Sequence, residues 1–187
     1  MTFYAFEPHP GLFKLLSETC AFGGFKNIHP IQAAVGDREG AVDFFTHTRD
    51  SGGHSTVVDS IGADKRATQV QSVPMVRLDS FCETTGIKSL DFIKIDVQDA
   101  ERAVILGAQK SIQKYRPVIL MELDNRALAL QGAAYLGGLP EDYLFRTSEL
   151  SILQPLSEMG KQANAALAGN RLQSNYLFVP KSRSAGA

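Results

Sequence analysis

The chain has 187 residues, 44% of them hydrophobic and 21% charged, and a formal net charge of −1 at pH 7. That is one domain's worth of ordinary globular composition, long enough to bury about 70% of the surface its unfolded chain would expose. The near-neutral balance gives no electrostatic case for nucleic acid or an anionic membrane, and no apolar run approaches the roughly 20 residues needed to span a bilayer.

The opening MTFYAFEPHP has no basic segment followed by an apolar one, so it does not read as a secretory signal. Cys20 and Cys82 are far apart, which predicts two small buried thiols in a reduced, cytoplasmic protein rather than a disulfide framework.

Phe3 to Phe6 reads as a short strand ending at Glu7. Pro8 and Pro10 bracket a turn, and Pro10 suits the first position of a helix. Leu12, Phe13, Leu15, Leu16 and Cys20 supply that helix's apolar side, and Gly23-Gly24 ends it. Ile28 to Val35 predicts a second strand, GDREG a turn, and Ala41 to Phe45 a third strand. From Thr46 to Gln69 the pattern dissolves into a polar, Gly/Ser-rich stretch; a loop of that length in a compact domain is functional or mobile, and most of it reads as a solvated excursion. Val70 to Leu78 is extended again, and Asp79 to Thr85 predicts a short helix stopped by Gly86.

The stretch from Leu90 to Leu123 is the most informative. Phe92, Ile93, Ile95 and Val97 form a near-continuous apolar run, broken by Lys94 and with Asp96 at its end, as suits a strand covered on both faces. Asp99 and Glu101 fall in the first turn of a helix, where the dipole favours acids. Ala100, Val104, Gly107, Ala108, Ile112 and Tyr115 give that helix one apolar face. Lys110, Lys114 and Arg116 crowd its end and Pro117 stops it. Val118 to Met121 is a second buried strand, so the whole is a βαβ unit. Beyond it, DNRALALQG suits a short helix and AAYLGGLP a loop. Tyr143–Arg146 and Ile152–Leu156 pair as a hairpin, Glu158–Leu167 is a small helix or a mobile segment, Tyr176–Val179 is a last strand, and KSRSAGA is a frayed tail.

Acids at strand ends are the candidate functional residues, because ligands of open α/β sheets bind beyond the carboxyl ends of the strands. Asp96 occupies such an end; it is either a site residue or the cap of the following helix. Glu7 ends a strand just before a helix, where nucleotide-binding α/β folds place the acid that holds ribose hydroxyls; the alternative is an ordinary turn carboxylate. The four histidines lack metal-ligand spacing, and there is no P-loop, HExxH or GxSxG.

KIDVQDAERAVILGA followed by RPVILMEL resembles the core of the FkbM-type S-adenosylmethionine-dependent methyltransferases. The family's KIDVEGAE-like stretch is departed from at Gln98 and Asp99. YAFEPHP, AAVGDREG and VRLDSF fit the same family in the same order. The resemblance implies a single α/β domain over residues 1–187, with a Rossmann-like sheet, mostly parallel, and antiparallel C-terminal strands. In that fold a first strand and a Gly-rich turn precede the strand ending at Glu7. The sequence begins six residues before Glu7, so a domain lacking both is expected. The expectation is then that the strands ending at Glu7 and at Asp96 close directly on each other, that another chain fills the slot, as in a homo-oligomer, or that the isolated chain aggregates.

The resemblance further implies S-adenosylmethionine as cofactor, held by Glu7, Pro8, Asp37, Ser55 and Asp96. Asp37 or a nearby backbone group would meet the adenine amino group, or else Asp37 is a plain Gly-Asp turn residue. Asp96, Glu101 and Glu122 are the catalytic candidates, the last two being family-matching acids that could equally be structural. Asp96 with Asp124 and Asn125 is similar to the metal cluster of cation-dependent O-methyltransferases, which makes Mg²⁺ a further candidate; a plain turn is the alternative. The activity implied is methyl transfer to a hydroxyl of a small molecule or sugar. The second reading is a non-catalytic remnant that serves as an interaction module.

Overall fold

The computed structural model describes residues 1–46, 56–57, 69–97, 100–150 and 152–186. The chain is mixed α/β and forms two compact units, Met1–Arg77 and Leu78–Ala187.

The first unit contains β1 (Phe3–Phe6), α1 (Pro10–Phe22), β2 (Ile28–Ile31), β3 (Ala34–Val35), β4 (Gly40–Thr46), β5 (Thr56–Val57) and β6 (Gln69–Val76). β1 and β2 pair in parallel with α1 as their crossover. Pro10 opens α1 as expected, and the ring of His9 caps it, Nδ1 accepting from the amides of Gly11 and Leu12 at 3.0 and 3.2 Å. Of the apolar side chains expected to be covered, Cys20 is buried while Leu12 and Leu15 stay exposed, since a two-stranded sheet is narrow. The strand expected from Ile28 to Val35 breaks in two. Ala33 N donates to Ile31 O at 3.0 Å, a tight turn that ends β2 and redirects the chain into a second sheet, ordered β3-β6-β4-β5. Ala34, Val42, Val73 and Met75 form its core.

The second unit contains α2 (Leu78–Thr84), β7 (Phe92–Ile95), α3 (Glu101–Gly107), α4 (Gln109–Tyr115), β8 (Val118–Asp124), α5 (Asn125–Gln131), β9 (Tyr143–Thr147), β10 (Gln154–Pro155), α6 (Met159–Ala168) and β11 (Gln173–Pro180). Its sheet has the order β10-β9-β11-β8-β7. β7 and β8 pair in parallel, as the βαβ reading requires. The single crossover helix expected there is divided at Ala108, and the reason lies outside the segment. Asp79 of α2 accepts from the amides of Ser111 and Lys110 at 2.8 and 3.2 Å, capping a second helix start that local periodicity does not reveal. α4 ends on Arg116, left-handed at φ 53°, whose guanidinium pairs with Asp142 and lies 4.8 Å over the Tyr143 ring. The tail expected to fray instead forms a 3₁₀ segment, Lys181–Gly186, held by Lys181 N on Asp142 O.

Parallel pairing, expected to dominate, is confined to three strand pairs among the described residues, against five antiparallel ones. Connection length explains part of this. A parallel return needs a crossover of about a dozen residues or more, and the turn from β3 to β4, residues 36–39, is far shorter. The antiparallel C-terminal strands do form. β11 lies between β8 and β9, opposed to both, so β8 and β9 run the same way. The buried face of this sheet carries Ile95, Ile119, Met121, Leu123, Phe145, Tyr176 and Phe178. Burying each such side chain is worth about 1.5–3 kcal/mol, and that face fixes which residues turn to the other. Among the described residues no helix is long and apolar enough to cross a membrane.

Candidate functional site

In the first unit, Glu7 follows the last residue of β1. Its amide donates to Ile31 O at 3.0 Å, the carbonyl that Ala33 N also uses, so the exits of β1 and β2 are tied together. The Glu7 side chain is half-buried, and its Oε1 accepts from the His9 amide at 2.8 Å. A carboxylate has about four acceptor positions, so this local turn does not exhaust it. Pro8, between them, has no amide to compete for that oxygen. Asp37 sits in the β3–β4 turn with its side chain 43% exposed and Arg38 Nη1 3.7 Å from Oδ1. Ser55 lies outside the described residues, as do Gln98 and Asp99.

In the second unit, the strand-end acids follow or end two neighbouring parallel strands. Lys94 of β7 is opposite Leu120 of β8, and Ile95 opposite Met121. Glu122 lies on the face of β8 away from the buried Met121 and Leu123, and Asp96 follows the last residue of β7. Asp96 is 49% exposed, and Lys94, two residues back on the same face, places Nζ 2.5 Å from Oδ2. An ion pair this open to water contributes only about 0–1 kcal/mol. Glu122 is half-buried opposite Asn175 of β11. Glu101, only 6% exposed, occupies the first turn of α3, where the helix dipole suits a carboxylate.

Asp124 and Asn125 have other occupations. Asp124 is the N-cap of α5; Oδ1 accepts from Arg126 N at 2.7 Å, and the Arg126 guanidinium grips both carboxylate oxygens. That guanidinium holds the Asp124 carboxyl below its ordinary range. Asn125 is fully buried. Its Nδ2 donates to Arg171 O and Ser174 Oγ, at 3.0 and 2.9 Å, and its Oδ1 accepts from the Tyr176 hydroxyl at 2.8 Å. Burial pushes the Tyr176 hydroxyl up to about 12, keeping it a donor. The expected Mg²⁺ set of Asp96, Asp124 and Asn125 therefore does not fit an ion that demands free oxygen ligands in near-octahedral array. Among the described residues no group of three or more His, Cys, Asp or Glu is arranged to hold a metal. This pair is a helix cap and a packing anchor, the turn alternative of the sequence.

Lys94, Arg126 and Tyr176 were not singled out by sequence reasoning. Lys94 could have been, because a strand places residues two apart on one face. Arg126 follows an N-cap acid by two residues. Tyr176 gave no local signal.

The chain matches the model of the methyltransferase FkbM domain over residues 2–161. It belongs to the FkbM methyltransferase domain family. The matched span takes in Glu7, Asp37, Asp96, Glu101 and Glu122. A 2-O-methyltransferase, NoeI, of Sinorhizobium fredii is 30% identical over 125 residues, 60% of this chain and 50% of that protein. The AMB antimetabolite synthetase AmbE of Pseudomonas aeruginosa is 28% identical over 117 residues, again 60% of this chain but 6% of that much longer protein. The chain thus spans half the length of one curated relative and a small part of the other. No solved structure matches it.

Proposed function

We propose that this FkbM domain transfers a methyl group from S-adenosylmethionine to a hydroxyl oxygen of a small molecule or sugar. The observation that carries the reading is the family match over residues 2–161, which spans both the β1-end acid and the β7-end acid. The relative named as a 2-O-methyltransferase supports oxygen as the accepting atom.

The residues of the first unit suit a nucleoside. Glu7 has acceptor capacity beyond its bond to His9, enough for a pair of ribose hydroxyls. Asp37 offers a half-exposed carboxylate to the amino group of adenine. When bound, the cofactor supplies an electrophilic methyl carbon on a sulfonium. Asp96 would orient the acceptor hydroxyl and take its proton as that oxygen is methylated. Lys94, paired with Asp96, holds that carboxylate in place. Glu101, in the first turn of α3, and Glu122, near the end of β8, are the further catalytic candidates.

Calorimetric titration of the 187-residue chain with S-adenosylhomocysteine, followed by radiolabelled methyl transfer to a panel of sugars, tests this. Saturable one-to-one binding and labelled product are expected. No heat at high protein concentration would overturn it in favour of the interaction module.

A further inference from the structure

We propose that Arg77 is a positioning residue for the adenine end of the cofactor, acting through the turn that carries Asp37. The inference rests on the reading above, in which Asp37 accepts from the adenine amino group.

The turn between β3 and β4, Gly36 to Glu39, is fastened to the end of β6. Gly36 N donates to Val76 O at 3.0 Å, Arg77 N donates to Glu39 Oε1 at 3.0 Å, and Arg77 Nη1 donates to Asp37 O. All three bonds go to two consecutive residues at the end of β6. Gly36 also packs closely on the Met75 side chain. A Cβ added at Gly36 would lie 2.7 Å from Met75 Sδ and 2.9 Å from its Cε, and Met75 belongs to the buried core of that sheet. The peptide of Asp37 is therefore fixed against a packed wall, while its carboxylate remains 43% exposed. A recognition group needs that combination, a reachable polar head on an immobile base. A guanidinium suits the task better than an ammonium, because its planar fork holds a fixed direction with less lost rotamer freedom per bond.

A role in turn stability alone would weaken every nucleoside alike. A role in aiming Asp37 makes a sharper prediction. S-Inosylhomocysteine has a carbonyl oxygen where S-adenosylhomocysteine has the amino group, so it offers Asp37 an acceptor instead of a donor. The wild-type chain should bind the adenosyl ligand at least tenfold more tightly. Arg77→Gln should lose about tenfold in adenosyl affinity and little in inosyl affinity, so the preference collapses. Arg77→Lys should recover part of it. Asp37→Asn should lower the preference as Arg77→Gln does, and combining the two should add nothing further.

Calorimetry with the two ligands on these four variants, with thermal unfolding as a check on folding, decides it. Proportional weakening of both ligands, unchanged preference in Arg77→Gln, or additive loss in the double variant would overturn the inference while leaving the cofactor reading intact. A wild-type chain that binds neither ligand would bring down the cofactor reading and this inference together. Should Arg77→Gln fail to fold, the Arg77→Lys and Asp37→Asn pair carries the same comparison.

Discussion

The Tyr176 hydroxyl donates to Asn125 Oδ1 at 2.8 Å, and both residues are wholly buried. They are 51 positions apart, and the bond ties the end of β8 to the middle of β11. Tyr176→Phe leaves the carboxamide oxygen buried without its donor, which costs about 1–3 kcal/mol. In a protein of this size the thermal midpoint should fall by about 2–4 °C per kcal/mol. A scan of the variant against wild type measures it, and an unchanged midpoint would show that water replaces the phenol.

Asp124 makes stability depend on pH. Arg126 lowers its carboxyl below the ordinary value in the folded state. A group whose pKa is lower when folded stabilises at pH values above its unfolded pKa, and that contribution disappears as pH falls through the folded one. Asp124→Asn keeps an N-cap but cannot ionise. The variant should be less stable than wild type at pH 7, and the gap should close as pH falls below about 4. Urea unfolding across that range checks it; a constant gap would mean that capping, not charge, is what the residue contributes.

Asp96 is a probe of chemistry rather than of folding. It is half-exposed and its ion pair with Lys94 is open to water, so Asp96→Ala should shift stability by no more than about 0.5 kcal/mol. Methyl transfer should be abolished, with affinity for S-adenosylhomocysteine altered less than about threefold. Equal loss of transfer and of affinity would assign the residue to the cofactor instead.

Glu7 should behave in the opposite sense. Glu7→Gln keeps the length and one acceptor for the His9 amide but removes the charge. Charge-assisted bonds to ribose hydroxyls are worth about 1.5–3 kcal/mol, so cofactor affinity should fall about tenfold to a hundredfold, with Tm nearly unmoved. Titration calorimetry reads the first and a thermal scan the second.

Much of this was legible because local chemistry decided it. Phe3–Phe6, Pro10 and Gly23 bound β1 and α1 by their own conformational preferences, and Glu7 could be placed at a strand end from those alone. β8 was legible from its apolar run, and both cysteines are buried as their type suggests. What escaped depends on partners distant in sequence. The break between α3 and α4 is set by Asp79, some thirty residues upstream. Asn125 looked like a turn or a ligand because Arg171, Ser174 and Tyr176, which occupy its side chain, lie 46 to 51 residues ahead. Strand order escaped for the same reason. Alternation reports which face a residue takes, not which neighbour its strand will find.

β8 is fastened at both ends. Tyr143 donates its hydroxyl to Pro117 O at 2.8 Å just before the strand, and Tyr176 holds Asn125 just after it. Between those two phenols the strand has β7 on one side and β11 on the other. Its amide protons should thus be the slowest in the second unit to trade with deuterium, surviving until global opening. Glu122 and Asp124 ride on the last stretch of backbone to let go.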